Sequence, residues 1–168
     1  MTTATWSRRR SPVLAITELD GDGRAERTFR ARGTADWQWD ADELPAPLSP
    51  DVSALHAGSL ATALSPGAEV LEEWLAGRRG EAPVGTDPNI RPSLAGGRER
   101  EVARVERQLA LVGLIKVSAG DLRWLYPGRP VLESARRWAG LGPYLVFLIR
   151  GREEAVALRG GGTPLTVS

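Results

Sequence analysis

The chain has 168 residues, of which 22 are basic and 21 acidic, a formal net charge of +1, one histidine and no cysteine. This length suits a single domain, because a chain of this size buries roughly two-thirds of the surface that it exposes when unfolded. Because positive and negative residues nearly balance, the chain as a whole has no strong electrostatic attraction to nucleic acid or an anionic membrane. The missing cysteines exclude disulfides, thiol catalysis and Cys-ligated metals, and a single histidine excludes a multi-histidine centre.

No apolar run approaches the ~20 residues that cross a bilayer, and residues 1–11 lack the ~7–15-residue apolar stretch of a signal peptide. We therefore expect a cytoplasmic protein with no membrane partner and an unstructured leader over residues 1–11. The triplet Arg8-Arg9-Arg10 has the charge to touch phosphate, but such a triplet at a terminus is typical of a solvated tail. No nucleic-acid partner is expected.

Residues 12–32 predict a β-hairpin. Apolar residues recur through residues 12–20, the turn signal Asp20-Gly21-Asp22-Gly23 follows, and a second extended run covers residues 25–31. Residues 35–50 predict an ordered connection held by Trp37 and Trp39, with one acidic helical turn near residues 40–44.

From residue 50 onward, short apolar runs alternate with amphipathic helices. Strands are predicted near residues 52–56, 82–87, 113–117 and 144–149, helices at 67–76, 98–112, 119–125 and 130–139, and a closing hairpin at 155–158 and 165–167. Parallel neighbouring strands need a crossover that packs back onto the sheet, so this alternation predicts an α/β fold with a mostly parallel sheet.

Ligands of such sheets bind beyond the carboxyl ends of the strands. The polar residues and the glycine just after these strands are therefore the candidate ligand-binding residues: Asp87, Asn89, Arg91, Lys116, Ser118, Asp121 and Gly151.

Five segments, in order along the chain, carry a resemblance to a known family, and the resemblance extends over most of the chain, roughly residues 12–167. They are Gly33-Thr34-Ala35-Asp36-Trp37, His56-Ala57-Gly58-Ser59-Leu60-Ala61, Asp87-Pro88-Asn89-Ile90-Arg91-Pro92, Lys116-Val117-Ser118-Ala119-Gly120-Asp121-Leu122 and Arg150-Gly151. In order and spacing these segments resemble the middle of the PfkB/ribokinase-family carbohydrate kinases, in particular the bacterial fructokinases.

The resemblance implies a three-layer α/β/α ribokinase-like domain, here partial, over residues 12–168. Residues 12–32 would be its small β lid element and residues 50–168 its α/β core. The implied activity is that of a phosphotransferase that moves the γ-phosphoryl group of ATP to a sugar hydroxyl. Its implied cofactors are ATP and Mg, and its implied partners are sugar and nucleotide.

By the same resemblance, Asn89 and Arg91 lie near the nucleotide phosphates, Lys116, Ser118 and Gly151 contact nucleotide, and Asp121 meets the water shell of the magnesium. A guanidinium suits phosphate because its planar fork can bind two oxygens.

The residues by themselves leave other interpretations open for three of these segments. Asp87 and Asn89 can simply close the turn that Pro88 begins. Asp121 can be an acid in the first turn of a helix that starts after Ser118. His56, a lone histidine at a strand end, is more typical of a hydrogen-bonded structural group than of a catalytic one.

The sequence also departs from the family pattern. The family places its general base and anion hole in a Gly-Ala-Gly-Asp segment, and no Gly-x-Gly-Asp sequence occurs in this chain. No catalytic residue is therefore assigned. Residues 27–30 read Arg-Thr-Phe-Arg where the lid strand has aromatic residues, and Ile149 and Glu154 replace a threonine and a glycine.

We therefore expect an incomplete member that lacks both ends of the domain and is catalytically impaired. The alternative is a non-catalytic kinase-like module with a binding or oligomeric role. A sheet that lacks strands and helices exposes apolar faces, which favours a marginal protein or a homo-oligomer. The sequence does not identify the sugar.

Overall fold

The computed structural model describes residues 11–19, 21, 23, 25–151 and 154–167. Within these ranges it has eight strands: β1 (Leu14–Leu19), β2 (Ala25–Arg30), β3 (Leu55–Gly58), β4 (Val84–Asp87), β5 (Leu114–Ser118), β6 (Leu145–Ile149), β7 (Ala155–Leu158) and β8 (Leu165–Val167). Its four α-helices are α1 (Gly67–Ala76), α2 (Arg98–Leu109), α3 (Ala119–Leu125) and α4 (Val131–Ala139). The leader predicted for residues 1–11, apart from residue 11, and its arginine triplet lie outside the described residues.

The main sheet has six strands in the order β3-β4-β5-β6-β7-β8. The first four are parallel, and β7 and β8 are antiparallel to their neighbours. Helices connect β3 to β4, β4 to β5 and β5 to β6, as parallel pairing requires. The predicted α/β fold with a mostly parallel sheet and a closing hairpin is confirmed.

Strand β3 begins later than the predicted residues 52–56. Residues 49–52 form a turn in which the N–H of Val52 donates to the carbonyl of Ser49 at 3.0 Å. Pairing with the next strand starts where the N–H of Leu55 donates to the carbonyl of Pro83 at 2.8 Å. Because a proline has no N–H to donate, Pro83 cannot extend the ladder further.

Helix α2 ends three residues before the predicted end at Val112. The N–H of Leu111 bonds to the carbonyl of Gln108 at 2.9 Å, in the i to i+3 pattern of a tightened last turn. Val112 is buried in a cluster with Ala57, Leu75 and Val84. Its apolar side chain, which the helical pattern counted as a helix position, instead covers the start of the sheet.

All four helices pack on one face of the sheet. The register places Ala57, Thr86, Ile115, Val146, Leu158 and their same-face neighbours on this side, where they are buried under Val105, Leu109, Leu122 and Trp138. The opposite face carries Leu114, Lys116, Phe147, Ala157 and Leu165, and the described residues place no helix on it. Of the three α/β/α layers that the resemblance implies, the described residues therefore form the sheet and one helical layer.

Strands β1 and β2 form a separate two-stranded antiparallel sheet at the predicted place. Its root is fixed to the following segment, because the N–H of Val13 donates to Asp36 Oδ2 at 2.6 Å and the N–H of Ala35 to the carbonyl of Ser11 at 3.0 Å. The connection to the core is ordered, as predicted. Trp39 Nε1 donates to the carbonyl of Gly67 at 2.8 Å, at the start of α1.

Within the described ranges, none of the helices has the length and apolar character that crossing a bilayer requires.

Candidate functional site

The carboxyl ends of β4, β5 and β6 form one edge of the sheet, and the candidate residues lie along it. Ser118, the last residue of β5, pairs in register with Ile149, the last residue of β6. Gly151 follows two residues later, with a φ of 75°. Nothing lies within 4 Å of the position that a Cβ would take at Gly151, so this side of its backbone is uncovered.

Asp121 connects β5 to the segment that follows β4. Its Oδ1 accepts a hydrogen bond from the N–H of Ile90 at 3.0 Å. Its Oδ2 accepts from the N–H of Ser118 at 3.1 Å and from the hydroxyl of Ser118 at 2.6 Å. These bonds hold Asn89, the neighbour of Ile90, at the same edge as Ser118. The edge therefore brings together Asn89, Ser118 and Asp121, as the parallel topology predicts.

The same bonds make Ser118 and Asp121 a reciprocal helix cap. Ser118 Oγ accepts from the N–H of Asp121 at 3.0 Å while the carboxylate binds the N–H of Ser118, which satisfies two backbone donors at the start of α3. The alternative interpretation of Asp121 as an acid in the first helical turn therefore describes the structure.

Asn89 has a φ of 42°, in the left-handed region that asparagine tolerates better than most residues. With Arg91 it lines a small cavity of about 30 Å³, whose walls also include Ser59 and Glu101. The turn interpretation explains the backbone of Asn89, while the cavity has room for only one or two water molecules.

Arg91 lies at the hairpin side of this region. Its guanidinium carbon is 5.5 Å from the centre of the Phe29 ring, the distance of a cation–π contact. The side chain therefore links the segment after β4 to strand β2. Phe29 is the aromatic residue of the Arg-Thr-Phe-Arg sequence at residues 27–30.

Asp87, the last residue of β4, and Lys116, in the middle of β5, lie within their strands rather than after them, as Ser118 does, which corrects the placement expected from the sequence. They are on the open face of the sheet, where Lys116 Nζ lies 2.7 Å from Asp87 Oδ2. Side-chain exposure is 47% for the lysine and 22% for the aspartate. The second oxygen, Asp87 Oδ1, is buried and has no partner among the described residues. A ligand donor that reached this oxygen would complete its hydrogen bonding.

His56 lies on β3 on the same open face and is exposed. Its Nδ1 is 3.7 Å from the position of a Cβ built on Gly85, and among the described residues it has no hydrogen bond. The interpretation of His56 as a hydrogen-bonded structural group is therefore not supported.

The sequence reasoning missed Glu101, which is 7% exposed. Arg104, one turn along α2, holds it through two guanidinium nitrogens, and Nη1 of Arg104 also donates to the carbonyl of Thr62 at 2.6 Å. The (i, i+3) spacing of an acid and an arginine beside buried Val105 is the signal that could have indicated it.

The carboxylates of this edge do not converge on one point. In the part of the chain that the structure describes, no three His, Cys, Asp or Glu side chains group closely enough to hold a metal ion directly.

Comparison with known proteins agrees with this architecture. No family model matches the chain. A fructokinase from Rhizobium leguminosarum bv. trifolii is 31% identical over 146 residues, which is 87% of this chain but 44% of the relative. Fructokinase from Xylella fastidiosa with bound ATP superposes with a TM-score of 0.79 at 20% identity, over 96% of this chain and 52% of that one. A PfkB protein from Polaromonas sp. JS666 superposes with a TM-score of 0.79 at 18% identity, over 95% and 54% of the two chains.

The chain thus spans about half the length of the proteins that it matches. The resemblance read from five sequence segments is confirmed: the chain is a fructokinase homologue with the ribokinase-like fold of the PfkB family.

Proposed function

We propose that this chain supplies the nucleotide-binding part of a fructokinase-like sugar kinase, an enzyme that transfers the γ-phosphoryl group of ATP to a sugar hydroxyl. The observation that carries the proposal is the bonding of Asp121 to both Ile90 and Ser118, because it joins two strand ends into one ligand-binding edge. Phosphoryl transfer depends mainly on positioning and charge stabilisation, which a fixed edge can provide.

The proposed contacts follow from the chemistry of the residues at this edge. Asn89 offers an amide, Arg91 a guanidinium and Gly151 an uncovered backbone N–H, and each can donate to a phosphate oxygen. Lys116 supplies a positive charge on the open face, where its exposed ammonium can leave Asp87 for a phosphate. Binding of phosphate by Arg91 would replace its contact with Phe29.

Magnesium fits this edge only through water. An ionised carboxylate has about four acceptor sites, and Asp121 already uses three of them for protein donors. The remaining site, on Oδ1, suits a water of the magnesium shell, and magnesium commonly keeps several waters. Asp121 would hold and orient such a water, and the ion would neutralise charge on the phosphate oxygens.

We further propose that the 168-residue polypeptide by itself does not turn over sugar. General-base catalysis is typically worth ~10²–10⁴ in rate and oxyanion-type stabilisation a similar factor. The sequence has no Gly-x-Gly-Asp segment to provide either. The apolar Ile149 beside Ser118 removes a hydroxyl that the family offers to nucleotide.

The test is Mg-ATP binding by the purified chain, measured by isothermal titration calorimetry, together with a coupled ADP-release assay on a panel of hexoses. We expect weak, saturable nucleotide binding that Asn89→Ala and Asp121→Asn weaken, and no hexose-dependent turnover. Asp42→Asn, an exposed acid away from the edge, is the matched control. Absence of nucleotide binding in the folded wild-type chain would overturn the nucleotide site. Sugar-dependent turnover above the blank would overturn the proposed inactivity.

The open sheet face favours the second candidate, a non-catalytic module that associates with itself. Leu114, Phe147 and Leu165 lie on this face without a helix from the described residues above them. A chain that forms a stable dimer and binds no nucleotide would support this candidate over the first.

A further inference from the structure

A cavity of about 560 Å³ lies between α1, α2 and the root of the hairpin, on the helical side of the molecule. Small-molecule sites commonly have volumes of ~300–1,000 Å³. The cavity is separate from the edge described above, since neither Ser118, Asp121 nor Gly151 lines it. It adjoins the small cavity beside Asn89 and Arg91, with which it shares the lining residues Ala63, Leu94, Gly96 and Glu101.

The floor of this cavity is a satisfied polar network. Arg104 binds Glu101, donates to Gln108 Oε1 at 2.8 Å and donates to the carbonyl of Thr62 at 2.6 Å. Gln108 Nε2 also donates to the carbonyl of Thr62 at 2.8 Å. With its side chain only 12% exposed, Arg104 is fixed in place and neutralised. The floor is therefore preorganised and has no unpaired charge.

A second neutral pair, Arg107 with Glu72, also lines the cavity. Arg107 binds Glu72 through two guanidinium nitrogens, and Gln108 Nε2 reaches the same carboxylate at 3.3 Å. Neither member of this pair is left with its charge uncompensated.

The rim carries uncompensated positive charge. Arg32 and Arg100 are exposed, and among the described residues no carboxylate pairs with either of them. Arg32 uses one nitrogen to donate to the carbonyl of Leu94 at 3.1 Å, which leaves its other donors available. The third charged group at the rim is Glu69, whose Oε1 accepts the hydroxyl of Ser65 at 2.6 Å. Two free guanidinium groups against one carboxylate favour an anion.

We propose that this cavity binds a small polyhydroxylated organic anion. Its phosphate or carboxylate group pairs with Arg32 and Arg100, and its hydroxyl groups donate to the carboxylate of Glu69, which among the described residues accepts one hydrogen bond, from Ser65. A cavity of this size exceeds what an inorganic anion fills, so the hydroxylated part of the ligand contributes to recognition. The site is independent of the nucleotide edge and does not rest on the proposed function.

Calorimetric titration with gluconate and with glucose 6-phosphate tests the site. The first ligand carries a carboxylate and the second a phosphate, so the two titrations show which anionic group the site binds. Neutral glucose is the matched control ligand. We expect at least one anion to bind and glucose to bind far more weakly. Arg100→Ala should weaken the anion about tenfold, the effect of losing one charge-assisted hydrogen bond. Arg123→Ala removes an exposed arginine of α3 that does not line the cavity, and it should leave binding unchanged.

Ala103→Phe provides a second test that leaves the charge unchanged, because Ala103 is an exposed residue of α2 at the cavity. A phenyl group there should obstruct the ligand and abolish binding, while circular dichroism shows that the fold is retained. Asn89→Ala should leave the anion affinity unchanged, which separates this site from the nucleotide edge. No binding of either anion to the folded chain would overturn the proposal, as would binding that survives both Arg100→Ala and Ala103→Phe.

Discussion

Tyr126 joins three helices through one hydroxyl. Trp138 Nε1 donates to it at 2.9 Å, and the hydroxyl donates to Glu106 Oε1 at 2.7 Å. Arg137 pairs with the same carboxylate and lies over the Tyr126 ring. Burial is the main cause that raises the pKa of Tyr126 to about 12. The neutral phenol is therefore the form that stabilises the packing of α2, α3 and α4.

Replacing Tyr126 with Phe should lower the free energy of unfolding by about 1–3 kcal/mol, because it leaves the indole N–H of fully buried Trp138 without its partner. Urea unfolding followed by tryptophan fluorescence measures this change. Tyr144→Phe removes the hydroxyl of a tyrosine that is 54% exposed and should change stability by only a few tenths of a kcal/mol. Equal effects of the two substitutions would contradict the role of the Tyr126 hydroxyl.

The contact between Glu106 and Arg137 predicts that the stability of the folded chain depends on pH. The hydrogen bonds from Arg137 are the main cause that holds the pKa of Glu106 below its ordinary value. A carboxyl whose folded pKa is depressed contributes stability that is present above its unfolded pKa and is lost as the pH falls through the folded pKa. We expect Glu106→Gln to destabilise the chain at neutral pH and to reduce the acid-side loss of stability, as urea midpoints from pH 3 to 7 would show. Parallel pH profiles for wild type and variant would refute this.

At the scale of the elements, two glycines differ in whether the structure has room for a side chain. Gly142 has a φ of 153°, and a Cβ at this position would lie 2.9 Å from the Cα of Ala110, at the end of α2. Gly120, by contrast, is a helical residue of α3 whose added Cβ would meet only Ser118 Oγ, at 3.5 Å.

We therefore expect Gly142→Ala to destabilise the chain by about 1–3 kcal/mol, through a disfavoured backbone conformation and a clash with α2. Gly120→Ala should be neutral or stabilising by up to about 1 kcal/mol, because alanine favours a helix. Thermal and urea unfolding of the two variants measure the difference. A Gly142→Ala variant as stable as Gly120→Ala would show that the close approach to α2 is not required.

The sequence predicts elements well where one periodicity is unambiguous. Helix α1 spans the predicted residues 67–76. The prediction is accurate here because the apolar pattern stops where the helix stops. Helix α2 ends early because apolar Val112 satisfies the helical period and yet packs under the sheet. The topology alone places Asp121 at the carboxyl edge of the sheet, whereas its bond to Ile90 depends on how two separate segments of the chain meet. The Tyr126 contacts depend on three helices and leave no local signal.

At the scale of the whole molecule, the helices of the described residues cover only one side of the sheet. Leu114, Phe147 and Ala157 lie in adjacent strands on the opposite side and are only partly buried, and Leu165 at the β8 edge is 64% exposed. Large apolar patches on a protein surface favour association with another surface. Edge strands add unpaired N–H and carbonyl groups that can join another chain.

We therefore expect the purified chain to associate with itself at rising concentration, which sedimentation velocity would show as a growing fraction of larger species. Phe147→Lys places a charge at the centre of the open face and should increase the monomer fraction, because a charge there opposes burial of the patch. Leu165→Lys tests the edge of the same face. Arg123→Glu changes a charge on the helical side and should leave association unchanged. A chain that stays monomeric at all concentrations and melts in one sharp cooperative transition would show that the open face needs no covering surface.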